Sequence, residues 1–157
     1  MIDKNSALCY HMCMEILVQS KSVARRGLIE VLAKLYQQKL NLNKSRFNII
    51  IDTISDFAKL TGMNGATTLI DHETISIALD SRLNFEKLLT VLAHEMVHAK
   101  QYARGQLKCV IEEDKVTHYW CGVPYDTEYY ESPWELEAFG RERILANSVA
   151  QILTQDK

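Results

Sequence analysis

Between Val23 and Leu42 the apolar residues return every three or four positions, at Val23/Ala24, Leu28, Val31/Leu32, Leu35 and Leu42, the spacing of a helix that buries one face. The first forty residues hold no proline and a single glycine, so the pattern predicts a helical N-terminal region over 1–42. Ser20-Lys21-Ser22 and Gly27 interrupt it, which leaves open either one long helix or two of about 14 and 18 residues. From Arg46 to Ile54 the residues become β-branched and apolar, as in a buried strand. Gly62-Met63-Asn64-Gly65 reads as a turn, and Thr67–Ile70 and Thr74–Leu79, separated by Asp71-His72-Glu73, read as a hairpin. Asn84 is then a suitable N-cap for a second helical pattern through Phe85, Leu88, Leu89, Val91, Leu92, Met96, Val97 and Ala99, ending near Gly105. Ser132-Pro133 opens a last helix carrying Leu136, Phe139, Ile144, Leu145 and Val149. The expectation is an α+β fold in one domain over 1–157, with the helical region 1–42 preceding a core over 46–150.

Composition narrows the class. The chain has 157 residues, 47% of them apolar, enough for a core of its own. Eighteen Lys and Arg against twenty Asp and Glu give a net charge of −2, no broad reason to expect nucleic acid or an anionic membrane as partner. The longest apolar run is only a few residues, far short of the roughly 20 that span a bilayer. No basic-then-apolar leader opens the chain, so a soluble, cytoplasmic protein is expected. Its four cysteines form no CxxC pair and read as reduced thiols. A helix would stack Cys9 and Cys13 on one face, either as metal ligands or as small buried residues.

The chemistry concentrates in His94-Glu95-Met96-Val97-His98, an HExxH motif within the second helical pattern. Histidines four apart stand one above the other, so both imidazoles can bind one tetrahedral Zn²⁺ while the Glu between them points beside the metal as a general base. A catalytic zinc ion needs a third protein ligand and one open position. Downstream, His118, Asp126, Glu128, Glu131, Glu135 and Glu137 offer donors. Glu135 lies in the first turn of the last helix, where Ser132-x-x-Glu135 also fits a capping box; spacing alone leaves ligand and cap equally open.

The ordered set His94-Glu95-Met96-Val97-His98 with Gln101, Tyr102 and Gly105, then Trp120-Cys121-Gly122-Val123-Pro124-Tyr125, then Pro133-Trp134-Glu135-Leu136-Glu137-Ala138 resembles the small SprT-like or phage-type zinc metallopeptidases. The resemblance runs from about Phe85 to Arg143. Related gluzincin-type and ImmA-like enzymes carry a Glu on a later helix with a small residue one turn on. That implies Glu135, with Ala138, as third ligand, and Glu137, with Gly140, as reserve. SprT enzymes proper use a third His, for which this chain offers only His118. The resemblance also implies a strand pair near the cleft around Trp120–Tyr130, where a Tyr or backbone N–H would meet an oxyanion and an edge would pair with an extended substrate. Gln101, one turn beyond His98, fits either a contact with a zinc ligand or a solvated side chain.

These readings converge on a zinc metallopeptidase with one Zn²⁺ held by His94, His98 and Glu135. It hydrolyses peptide bonds with a zinc-activated water and Glu95 as general base. Its partner is a protein or peptide substrate, with no membrane, in the cytoplasm of a bacterium or of a host cell if phage-encoded. The lack of material for a deep cleft suits a narrow protein target, or a recruiting partner bound through the N-terminal helices. Two alternatives stand beside it. One is a non-catalytic zinc-containing interaction module, which the absence of a Cys pair disfavours. The other is a DNA-associated SprT-like protease, for which Lys100, Arg104 and Lys108 form a short basic run, better read as a solvated helix end whose cations complement the helix dipole.

Overall fold

In the computed structural model, residues 13–126 and 128–155 are described. Ile49 and Ile51 of Asn48–Ile54 (β2) are buried while Asn48 and Ile54 are exposed, so the strand's period of two presents one face to a core. Its partner Thr74–Asp80 (β4) runs parallel and buries Ile75, Ile77 and Leu79 in the same alternation. The β4 strand is antiparallel to Gly65–Leu69 (β3), so the expected hairpin is present, and β2 is flanked on its other side by a parallel strand, Ile16–Gln19 (β1). The order is β1-β2-β4-β3. Register aligns Val18, Ile51, Ile77 and Thr67 in one row across all four strands and places Gly65 opposite Leu79. The buried face of the sheet therefore reaches its outer strand at Gly65 and Thr67, and there it meets the HExxH helix.

The first helix, Val23–Lys39 (α1), begins where Ser22 Oγ accepts from the Arg25 N–H at 3.2 Å. It buries Ile29, Leu32, Ala33, Tyr36 and Gln37, a stripe at i, i+3, i+4, i+7 and i+8. A helical region over all of 1–42 is thus corrected. Among the described residues of that region helix occupies Val23–Lys39, and Ile16–Gln19 is a strand because its apolar residues gain a parallel partner in β2. The Cys9 half of the Cys9/Cys13 pair lies outside the described residues. A short helix, Phe57–Thr61 (α2), links β2 to β3.

Phe85–Ala103 (α3) starts at Asn84, whose side chain accepts from the Lys87 N–H at 2.9 Å, and ends at Gly105 with φ of +65°. Every residue from Leu92 to Tyr102 is buried, because the sheet, α1 and the last helix, Pro133–Gln155 (α4), all pack on this helix. Between α3 and α4 a meander of Leu107–Glu112 (β5), Lys115–Trp120 (β6) and Val123–Tyr125 (β7) forms a second sheet. Its last turn places Cys121 and Gly122 at positive φ, as a two-residue hairpin loop requires. Cys13, Cys109 and Cys121 are free thiols and exposed, Cys13 where the sequence offered a small buried residue. No helix among the described residues is long and apolar enough to cross a membrane.

Candidate metal centre

A helix segment buried on all sides leaves its polar side chains no water, so each needs a partner from another element or from a neighbouring turn. The segment of α3 from His94 to Gln101 holds five such groups: His94, Glu95, His98, Lys100 and Gln101, all under 10% exposed. Their partners make the site.

His94 and His98 stand one turn apart with their Nε2 atoms 3.0 Å from each other. Glu135, in the first turn of α4 and 2% exposed, places Oε2 at 3.2 Å from His94 Nε2 and Oε1 at 3.3 Å from His98 Nε2. Behind them, His94 Nδ1 lies 2.7 Å from Glu142 Oε2 and His98 Nδ1 lies 2.8 Å from Gln101 Oε1. With both Nδ1–H groups donating to these oxygens, each imidazole turns an Nε2 lone pair to the front. Two lone pairs and a carboxylate then converge with no proton among them. That donor set suits a cation, and its N₂O composition is that of a catalytic zinc site. One ligand atom from each of His94, His98 and Glu135 lies within 4.8 Å of the others.

Electrostatics agree with the geometry. Burial opposes ionisation of Glu135, but its contacts with the His94, His98 and Tyr129 side chains outweigh it and hold the carboxyl at about 2. Burial alone would lower His94, yet the carboxylates of Glu135, Glu95 and Glu142 together raise it. Glu95 is raised by its own burial, which the histidines and the Thr67 hydroxyl only partly counter.

Glu95 does not join the donor cluster. Its Oε2 accepts from Thr67 Oγ1 at 2.7 Å, and its other oxygen lies over Gly65, where an added β-carbon would come within 2.8 Å. A cleft of about 170 Å³ opens in front, bounded by Gly65, Thr67, His118, Tyr129 and Trp134 beside Glu95, His98 and Glu135. Tyr129, from the 3-10 turn Tyr129–Glu131, lines the same cleft, and its hydroxyl is pushed up by burial and by the nearby Glu135 carboxylate.

The candidates now separate. Glu135 faces the histidines and is not engaged as a capping-box acid, since the Ser132 N–H that such an acid would accept from donates to the Tyr129 carbonyl at 3.3 Å. Glu137 is turned away from the cluster and holds Lys100, Gln101 and Arg141. His118 lines the cleft but stacks on Trp134, with ring centroids 5.2 Å apart, and stands outside the donor cluster. Gln101 is fully buried against His98. Lys100 is buried too, which removes it from the solvated basic run expected with Arg104 and Lys108. Three residues escaped the sequence reading. Glu142 had a legible signal, lying seven residues after Glu135 and so on the same face of α4. Thr67 and Gly65 depend on sheet register and had none.

Comparison of the chain with protein-family models, with curated proteins and with solved structures finds no match. The site stands on its own geometry: His94, Glu95 and His98 with a distal Glu135 match an HExxH gluzincin-type centre.

Proposed function

We propose that this protein is a small SprT-like, phage-type zinc metallopeptidase of the cytoplasm, a single domain in which His94, His98 and Glu135 hold one Zn²⁺ and Glu95 is the general base. The observation that carries the reading is the convergence of two imidazole lone pairs and one buried carboxylate at the mouth of a cleft, with a second carboxylate held beside them. Bound zinc supplies Lewis acidity toward a water and a scissile carbonyl. Glu95, oriented by Thr67, takes the proton of the attacking water and returns it to the leaving amine. Tyr129, which lines the cleft with Glu135, can donate to charge developing on the carbonyl oxygen.

The open edge of β3 bounds the same cleft, and an extended peptide laid along it as a further strand would bring a backbone carbonyl to the centre. A protein or peptide substrate follows. The non-catalytic module is the poorer reading, because a structural zinc site is closed by four protein ligands, and here three converge beside an open cleft.

Elemental analysis of purified protein should find about one zinc per chain. Glu95→Gln should keep that zinc and the fold while hydrolysis of a broad peptide library falls by roughly 10²-fold or more. No zinc after reconstitution would remove the metal reading, and equal cleavage by both proteins would remove the role of Glu95.

A further inference from the structure

Lys100 is 2% exposed on the helix that carries both histidines, and nothing in peptide hydrolysis requires it. A buried ammonium is retained only with a close anionic partner. That partner is Glu137, whose Oε1 accepts from Lys100 and whose Oε2 accepts from Gln101 Nε2 at 2.9 Å. Gln101 Nε2 also donates to the Trp134 carbonyl at 2.9 Å. The two neighbours of that amide nitrogen are both pure acceptors, so the Gln101 side chain has one allowed orientation, with Oε1 turned to His98 Nδ1 at 2.8 Å. An oxygen there requires the proton of His98 on Nδ1, which frees Nε2 for a metal.

Resting on the metal-centre reading, we infer that Lys100, Glu137 and Gln101 form a positioning relay that fixes the tautomer and ring orientation of His98. Lys100 anchors Glu137, Glu137 orients Gln101, and Gln101 sets the imidazole. None of the three touches substrate. His94 reaches the same state by a single contact with Glu142, so the two histidines are backed differently, one by a carboxylate and one by an amide whose direction is itself imposed.

Two of the contacts of Glu137, those with Lys100 and Gln101, allow a reversal. Gln101→Glu alone keeps an acceptor for His98 but sets a second carboxylate against Glu137 Oε2. Glu137→Gln alone loses the charged acceptor and lets the two amides meet in either direction. With both substitutions combined, the amide now at position 137 would accept from Lys100 with its oxygen and donate with its nitrogen to the carboxylate now at position 101. That restores the donor and acceptor order from Lys100 to His98, but the carboxylate at 101 then faces the Trp134 carbonyl and Lys100 faces a neutral amide, so the recovery is partial. Zinc affinity is measured by chelator competition on the full chain, with unfolding of the zinc-free proteins followed in parallel. Each single variant should weaken zinc binding about 10- to 100-fold, and the double variant should recover part of that loss and bind zinc more tightly than either single variant. In the zinc-loaded parent, nitrogen-detected NMR should show His98 protonated on Nδ1. Single variants that lose stability with unchanged zinc affinity, or a double variant weaker than either single, would overturn the relay. A parent that binds no zinc would instead overturn the metal centre itself.

Discussion

Gly65 marks a close approach between the sheet and α3. A methyl group there would stand 2.8 Å from Glu95 Oε1 and 2.9 Å from Val91 Cγ1, both on the well-packed face of α3. Gly65→Ala should therefore displace the Glu95 carboxylate while leaving the zinc ligands in place. The expected result is a loss in kcat of about tenfold or more with unchanged zinc content, read by steady-state kinetics beside elemental analysis. At the metal, Glu135→Ala should weaken zinc binding more than Glu137→Ala, because the first removes a ligand and the second only a support. The opposite order in chelator competition would exchange their roles. Residues whose partners lie within a turn were legible in the sequence: His94, Glu95 and His98 fix each other's placement through helix geometry alone. Glu135 needed a family resemblance to be preferred over its capping role. Thr67 was invisible, since its contact with Glu95 spans 28 positions and follows from strand pairing that no local pattern encodes.

The approach of α4 to α3 depends on a small residue at Ala138, which is fully buried one turn beyond Glu135. Ala138→Leu should force the helices apart, costing about 1–3 kcal/mol in denaturant unfolding and weakening zinc binding in the same protein. At the C-terminal end of β4, Asp80 does what Asp56 does not. Asp56 sits at the N-cap of α2 with φ of +58° and no side-chain capping bond, while the Asp80 carboxylate accepts from the Ala58 and Arg82 N–H groups, both at 2.8 Å. Those two backbone N–H groups hold the Asp80 carboxyl below its ordinary value. Its contribution to stability is thus complete above the unfolded carboxylate range and lost as pH falls through the lowered folded value. Asp80→Asn should flatten that acid limb in stability measured against pH. The long amphipathic elements α1, α3 and α4 could be read from periodicity, and so could β2 and the hairpin. The short elements could not: β1 has four residues, and only its parallel pairing with β2 makes it a strand.

In the whole molecule the zinc ligands join two helices that are distant in sequence, since His94 and His98 lie on α3 and Glu135 on α4. Metal bound only by the folded chain stabilises it by mass action, about 4 kcal/mol when free zinc exceeds its dissociation constant a thousandfold. Chelation should lower the unfolding midpoint accordingly, and the shift should vanish in Glu135→Ala if that residue is a ligand. The row Val18, Ile51, Ile77 and Thr67 carries a different consequence. Three members are large and apolar and lock their strands by burial, but the fourth, on an outer strand reading Gly-Ala-Thr-Thr-Leu, has little apolar weight to resist sliding. The Thr67 hydroxyl on Glu95 supplies the missing restraint. A slip of one residue would swing both Thr67 and Gly65 to the opposite face and leave the carboxylate unheld. Alignment of the outermost strand is thereby proofread at the reaction centre, and a misaligned molecule would be an inactive one.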